Sequence, residues 1–98
     1  RQPKELLMWS IVDLTRRLNA TSELLDGGRS LSEIRKSLKL FGPSGDSIIA
    51  KAKTHKTSEL AELFTRAVAI DVKTRSGMLE GEHGLELLTV HVCQQLRN

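Results

Sequence analysis

The sequence predicts an all-α domain, a compact bundle of about five helices. Leucine, a good helix former, occurs 16 times against 10 for isoleucine and valine together, and tyrosine is absent. Only two prolines interrupt the chain. No stretch of four or more residues alternates cleanly between apolar and polar side chains, so no strand is predicted. The length of 98 residues suits a single helical domain over residues 1–98.

The first helix is predicted from Pro3 to Leu25. Proline is favoured at a first helical position, since its missing N–H would have no partner there. Gly27 and Gly28 end the helix, because glycine readily adopts the left-handed conformation of a C-terminal cap. One face repeats every three, four or seven residues. This face consists of Leu7, Ile11, Leu14, Leu18 and Leu25, widened by Met8 and Val12.

Two shorter helices are predicted next, separated by a loop. Ser30 and Glu33 have the spacing of a capping box, which opens a helix to about Leu40. Residues 40–45 contain a proline and two glycines and are predicted to be a loop. A third helix follows over residues 46–55. The predicted inward side chains are Leu31, Ile34 and Leu38 in the second helix and Ile48, Ile49 and Ala52 in the third.

Two further helices complete the bundle. Thr57 is a candidate N-cap for a helix reaching about Ser76, and Gly77 ends it. Residues 80–82 are predicted to be a short acidic linker before a last helix over residues 85–97. The predicted inward side chains are Leu60, Leu63, Phe64, Ala67 and Ile70, followed by Leu85, Leu88, Val92 and Leu96.

Residue types that carry catalysis or bind metals are sparse and badly placed. His91 and Cys93 lie two positions apart on a helix, about 200° around its axis, so they cannot share a metal. No phosphate-binding loop or nucleophile elbow is present. We therefore predict no enzyme, no catalytic residue, no cofactor, no metal and no small-molecule substrate. The histidines are expected to be solvated and Cys93 to flank the core. Asp71 falls on the apolar stripe of its helix and is expected to pair with Arg75, four residues on.

A basic middle region leaves a nucleic-acid-binding module as an alternative. The formal net charge is +3, and residues 27–56 contain seven basic and two acidic side chains. Lys51, Lys53 and Lys56 are candidate phosphate contacts, although lysine is poorly suited to reading bases. The connection before the third helix is also longer than the usual helix-turn-helix turn.

Apolar side chains outside the main stripes favour a protein-interaction role. Trp9 lies away from the apolar face of the first helix, as do Leu6 and Leu24, while Leu87 and Val90 lie off the stripe of the last one. A helix that is apolar on two sides is either central in its own bundle or packed against another chain. Trp9, Leu87 and Val90 are therefore candidate subunit-interface residues. The longest apolar runs are far too short to cross a bilayer, so no membrane association is expected.

The order of these elements resembles one known family. Residues 6–18 (LLMWSIVDLTRRL) are similar to the helix that opens the C-terminal collar domain of the bacterial clamp-loader protein, the DNA polymerase III delta subunit. Residues 32–40 and the proline-containing segment after them resemble the next step. Residues 71–77 (DVKTRSG), with residues 85–88, resemble the acidic-then-basic helix end and the closing helix of the family. Ser44, Gly45 and Asp46 depart from the pattern, since members of the family often carry an aromatic or basic residue there.

The resemblance implies a binding function without catalysis. The chain would be the C-terminal oligomerisation domain of a longer protein, holding clamp-loader subunits together during DNA replication. Its partners would be the other subunits, with DNA contacted through the assembly, and its location the bacterial cytoplasm near the nucleoid. The family supplies no catalytic residues for transfer to this sequence.

Overall fold

The computed structural model describes residues 3–97, which form five helices and no strand. The all-α prediction of about five helices is confirmed. The helices are α1 (Pro3–Asp26), α2 (Leu31–Leu38), α3 (Gly42–Thr54), α4 (Thr57–Arg75) and α5 (Gly81–Gln95).

Helix α1 organises the bundle, because it contacts each of the other four helices. Its 24 residues span about 36 Å, close to the 41 Å long axis of the molecule. Helix α4 runs antiparallel to α1, because its first residue, Thr57, contacts Ser22 near the end of α1, and it also packs against α5. The shared core consists of Met8, Leu18, Ile34, Leu40, Ile48, Ile49, Ala52, Leu60, Leu63, Ala67, Leu88 and Val92.

The buried face of α1 agrees with the predicted one except at a few positions. Leu7 is 54% exposed, whereas Thr15 and Thr21 are fully buried. Their hydroxyl groups donate to the carbonyl oxygens of Val12 and Arg17, each at 2.7 Å, which satisfies them inside the bundle. The other predicted side chains of this face lie in the core or pack against it, so the apolar pattern missed the two buried threonines and the exposure of Leu7.

A polar cluster connects the end of α1 to the start of α4. Ser22 is buried, and its Oγ lies 2.6 Å from Thr57 Oγ1. Thr57 in turn donates to the carboxylate of Asp26. Thr57 is the first residue of α4 and not its N-cap as predicted, since its hydroxyl is used by α1. The N-cap is Lys56, whose backbone N–H donates to Glu59 Oε1 at 2.9 Å.

The predicted capping box of α2 is confirmed. The Glu33 backbone N–H donates to Ser30 Oγ, and the Ser30 backbone N–H reaches the Glu33 carboxylate. The helix ends at Leu38, and Lys39 adopts the left-handed conformation with φ 56°. Ile34 is buried as predicted, whereas Leu31 is exposed. The short α2 thus joins the core through the buried Ile34 and the partly buried Leu38.

The capping box makes a testable prediction about the protonation of Glu33. The Ser30 backbone N–H, then the Ser30 hydroxyl and Arg29 hold the pKa of this carboxyl below its ordinary value. The capping interaction is therefore present above the ordinary pKa and is lost as the pH falls through the lowered one. Ser30→Ala, which removes the hydroxyl, should raise the Glu33 pKa partway toward normal in an NMR titration. Ser32→Ala, at an exposed position in the same turn, should leave it unchanged, and an equal rise in both variants would contradict the assignment.

The segment predicted as a loop over residues 40–45 is largely helical, so that prediction is wrong. Helix α3 begins at Gly42, with Pro43 in its first turn, where no N–H is needed. Gly45 lies against the backbone of Leu40, and a Cβ at this position would lie only 2.6 Å from the Leu40 carbonyl oxygen. Proline and glycine therefore permit a tight helix start here instead of breaking the helix.

The last helix also begins earlier than predicted. Helix α5 starts at Gly81 and includes most of the segment interpreted as an acidic linker. Glu80 is its N-cap, and acidic side chains at a helix N-terminus are stabilised by the helix dipole. Gly84 is buried against Thr74 of α4, which brings the two helices into close contact. Gly77 ends the α4 segment with φ +85°, as the sequence predicted.

Candidate protein-interaction surfaces

The three candidate interface side chains are all exposed. Trp9 on α1 is 62% exposed, and Leu87 and Val90 on α5 are 40% and 52% exposed. Leu87 and Val90 lie three positions apart and share one side of α5. The opposite side of that helix carries the buried Leu88 and Val92. These apolar side chains thus face away from the core, where a partner can reach them.

Trp9 forms part of a groove between α1 and α4, which has a volume of about 1040 Å³. Its apolar lining comes from both helices, and Leu87 and Val90 are not among the described residues that line it. The candidate interface side chains therefore lie on two separate surfaces, one on α1 and α4 and one on α5. The apolar lining side chains are Met8, Trp9, Val12, Phe64 and Val68.

Two carboxylates that line this groove, Asp13 and Asp71, form ion pairs with arginines, and Asp13 has a second partner in Arg17, whose Nε lies 3.0 Å from Oδ2. Arg16 donates to Asp13 Oδ1 through Nε at 2.9 Å and Nη2 at 2.7 Å. On α4, Arg75 Nη2 lies 3.0 Å from Asp71 Oδ2, which confirms the predicted pair. Asp71 is a half-buried residue lining the groove, so the arginine compensates a carboxylate close to apolar side chains.

Other exposed apolar side chains were not singled out by the sequence. Phe41 and Met78 are both strongly exposed and lie in the α2–α3 and α4–α5 connections. Val72 is exposed on α4. Of the two further off-stripe residues on α1, Leu6 is exposed and Leu24 packs partly against the core. The sequence feature that could have identified Phe41 as exposed is its position, since it is a large aromatic residue inside a predicted loop.

The three candidate phosphate-binding lysines do not form one face. Lys51 is half-buried and donates from Nζ to the Leu96 carbonyl oxygen at 2.7 Å, at the C-cap of α5. Lys53 lies two positions further on α3, about 200° around the axis. Lys53 and Lys56 are exposed. Lys51, one of the three candidate lysines, therefore joins α3 to the end of α5.

Two arginines of the basic region have carboxylate partners. Arg29 lies 3.3 Å from Glu33, and Arg35 lies 2.8 Å from Asp46 while also donating to the Leu40 carbonyl oxygen. These contacts reduce the positive charge available at the junction of α2 and α3.

The histidines are only partly solvated. His83 is exposed as expected, but His55 and His91 are half-buried, so the expectation is wrong for these two. His55 Nδ1 lies 3.0 Å from the Lys51 carbonyl oxygen, because the ring folds back over the end of α3. Cys93 is a free, exposed thiol. Among residues 3–97, no three histidine, cysteine, aspartate or glutamate side chains are grouped as metal ligands would be.

No helix within the described part of the chain combines the length and apolar character needed to cross a membrane. Comparisons with protein-family models, curated proteins and solved structures found no match to this chain. The residues and geometry described above are therefore the basis for assigning a function.

Proposed function

We propose that this chain is a protein-interaction domain, the C-terminal collar of a DNA polymerase III delta subunit, which holds clamp-loader subunits together during replication. The observation that carries the proposal is that Trp9, Leu87 and Val90, which lie off the main apolar stripes of their helices, are all exposed. The resemblance of residues 6–18 and 71–77 to the family supports the specific part of the proposal, and the five-helix fold is compatible with it.

The proposed mechanism is burial of helix faces between subunits. Large apolar side chains at the centre of an interface carry most of the binding energy, and tryptophan is prominent among them. Two separate apolar surfaces suit a domain that contacts more than one neighbour. The domain would act by binding alone, without catalytic chemistry or a cofactor, in the bacterial cytoplasm beside the nucleoid.

The nucleic-acid-binding alternative has weaker support. Lys53 and Lys56 are exposed, but Lys51 is engaged by the Leu96 carbonyl oxygen and diverges from Lys53. Scattered lysines can contact phosphates but give little sequence specificity.

Association of the full-length parent protein with the other clamp-loader subunits tests the proposal. Leu87→Asp combined with Val90→Asp should weaken association by about 30-fold or more, because two charges would enter an apolar contact. Association is measured by co-elution in size-exclusion chromatography and by pull-down with mass spectrometry, and circular dichroism verifies the helix content. Thr89→Asp is the matched control, since this exposed residue points to another side of α5.

The results separate the two functions. Unchanged association in the Leu87 and Val90 variant would contradict the role assigned to this face. Charge reversal at Lys53 and Lys56 should leave subunit association intact. If those reversals instead abolish retention of DNA by a protein that recovers no clamp-loader subunit, the nucleic-acid alternative is correct.

A further inference from the structure

The groove between α1 and α4 is long enough to hold a helix of about three turns. Its lining runs along α1 from Lys4 to Arg16, which is about 18 Å at the helical rise per residue. On α4 it runs from Phe64 to Arg75, about 16 Å. Two antiparallel helices thus border an apolar channel about three helical turns long.

The outer edges of the groove are more positively charged than the numbers of acidic and basic lining residues indicate. The Arg16 side chain is 50% exposed, but its partner Asp13 is only 16% exposed. Likewise the Arg75 side chain is 72% exposed and Asp71 only 20%. The carboxylates therefore lie inward and the guanidinium groups outward on both helices. Lys4, which is also exposed, adds a third positive charge near the start of α5.

The two guanidinium groups retain unused donors. A guanidinium carries five N–H groups, and each inward carboxylate contacts only part of the set. The aspartates already hold the two arginines in place. The arginines can therefore donate to a second carboxylate with little further loss of side-chain freedom. Glu5 is the one exposed acidic side chain that lines the groove among the described residues.

We propose that this groove binds an amphipathic helix of a partner protein whose apolar stripe is flanked by acidic side chains. The inference rests on the proposed function to the extent that both require a protein-binding domain. Apolar side chains spaced i, i+3 or i+4, and i+7 would contact Trp9, Val12 and Val68, as in other helix-in-groove complexes. Glutamate or aspartate side chains beside the stripe would pair with Arg16 and Arg75.

Trp9 supplies a direct reporter, since it is the single tryptophan of the chain and lines the groove. The probes are two tryptophan-free, stapled 14-residue peptides with the same leucine stripe, one flanked by glutamate and the other by lysine. The glutamate peptide should shift Trp9 emission to shorter wavelength and protect it from acrylamide quenching. The lysine peptide should bind at least about tenfold more weakly, because like charges meet at two or three positions. Raising the salt concentration should reduce the difference in affinity between the two peptides.

A charge-reversal variant provides the control for electrostatics. Arg16→Glu combined with Arg75→Glu should reverse the preference of the groove in favour of the lysine peptide. Arg66→Glu is the matched control, because Arg66 also pairs with a glutamate four residues away on α4 but does not line the groove. This variant should keep the preference for the glutamate peptide.

Three results would overturn the proposal: equal or tighter binding of the lysine peptide, no change in Trp9 emission with either peptide, or a concentration-dependent shift without peptide. The last would identify a second copy of the chain as the occupant. If clamp-loader subunits associate but the glutamate peptide neither binds nor competes, only this inference fails. If the peptide binds and no clamp-loader subunit associates, the proposed function fails and the groove assignment stands.

Discussion

Gly45→Ala is expected to lower the free energy of unfolding by about 3 kcal/mol. A Cβ at this position would lie 2.6 Å from the carbonyl oxygen and 2.9 Å from the Cα of Leu40. These are backbone atoms that cannot rotate away, and the Leu40 side chain is itself buried in the core. Relief of the overlap requires α3 to move away from the end of α2. Urea denaturation, followed by circular dichroism, measures the loss.

The sign of the effect distinguishes this contact from ordinary helix propensity. Alanine in place of glycine inside a helix normally stabilises by roughly 1 kcal/mol. Gly81→Ala is the control, because a Cβ there meets only the end of the flexible Lys4 side chain at 3.4 Å. It should change stability by less than about 0.5 kcal/mol. A stable Gly45→Ala protein would show that α3 does not approach Leu40 so closely.

Gly84→Ala is expected to destabilise the chain by about 2 kcal/mol. The new methyl group would overlap Thr74 Oγ1 and lie 3.1 Å from its Cγ2 atom. Rotation of the threonine offers little relief, because its Cβ is also only 3.2 Å from the new atom. The Thr74 hydroxyl donates to the Ile70 carbonyl oxygen at 2.8 Å, which holds the side chain against α4. Thermal and urea unfolding of the variant measure the effect.

A double-mutant cycle assigns that loss to one contact. Thr74→Ala removes Oγ1 and Cγ2, so Gly84→Ala should cost at least about 1 kcal/mol less in its presence. Thr65→Ala, at an exposed threonine that makes the same kind of backbone hydrogen bond on α4, should give no such relief. Simple additivity of Gly84→Ala and Thr74→Ala would contradict the close approach of α4 and α5. The outward face carrying Leu87 and Val90 depends on that approach for its position.

Helix identity could be predicted from local sequence, but two helix starts could not. The capping box of Ser30 and Glu33 and the stop at Gly77 use side chains and backbone within a few residues, so they are visible in the pattern. The predictions of a loop over residues 40–45 and of a linker over residues 80–82 are wrong, and both segments contain glycine, which normally weakens a helix. Here glycine is required at both positions because a Cβ would overlap a neighbouring residue. That residue is Leu40 for Gly45 and Thr74 for Gly84. Information of that kind lies in tertiary contacts.

Only part of the candidate site could be predicted from the sequence, because the rest depends on tertiary contacts. Periodicity within single helices identified Trp9, Leu87 and Val90 as lying off the main stripes, and all three are exposed. The groove needs Phe64 and Val68 of α4 to lie beside Trp9 of α1, and no single-helix pattern can place them there. The outward orientation of Arg16 and Arg75 likewise depends on how far their aspartates are buried.

The central position of α1 has a consequence for synthesis of the protein. This helix is made before the other four, yet much of its apolar face is covered by α4 and α5, which are made last. At ribosomal rates of about 5–20 residues per second, the roughly 70 residues after α1 take several seconds to emerge. Leu18 and Met8 remain without those two partners for that time. The part of α1 that packs against α4 and α5 is therefore exposed in the nascent chain until those two helices have been made.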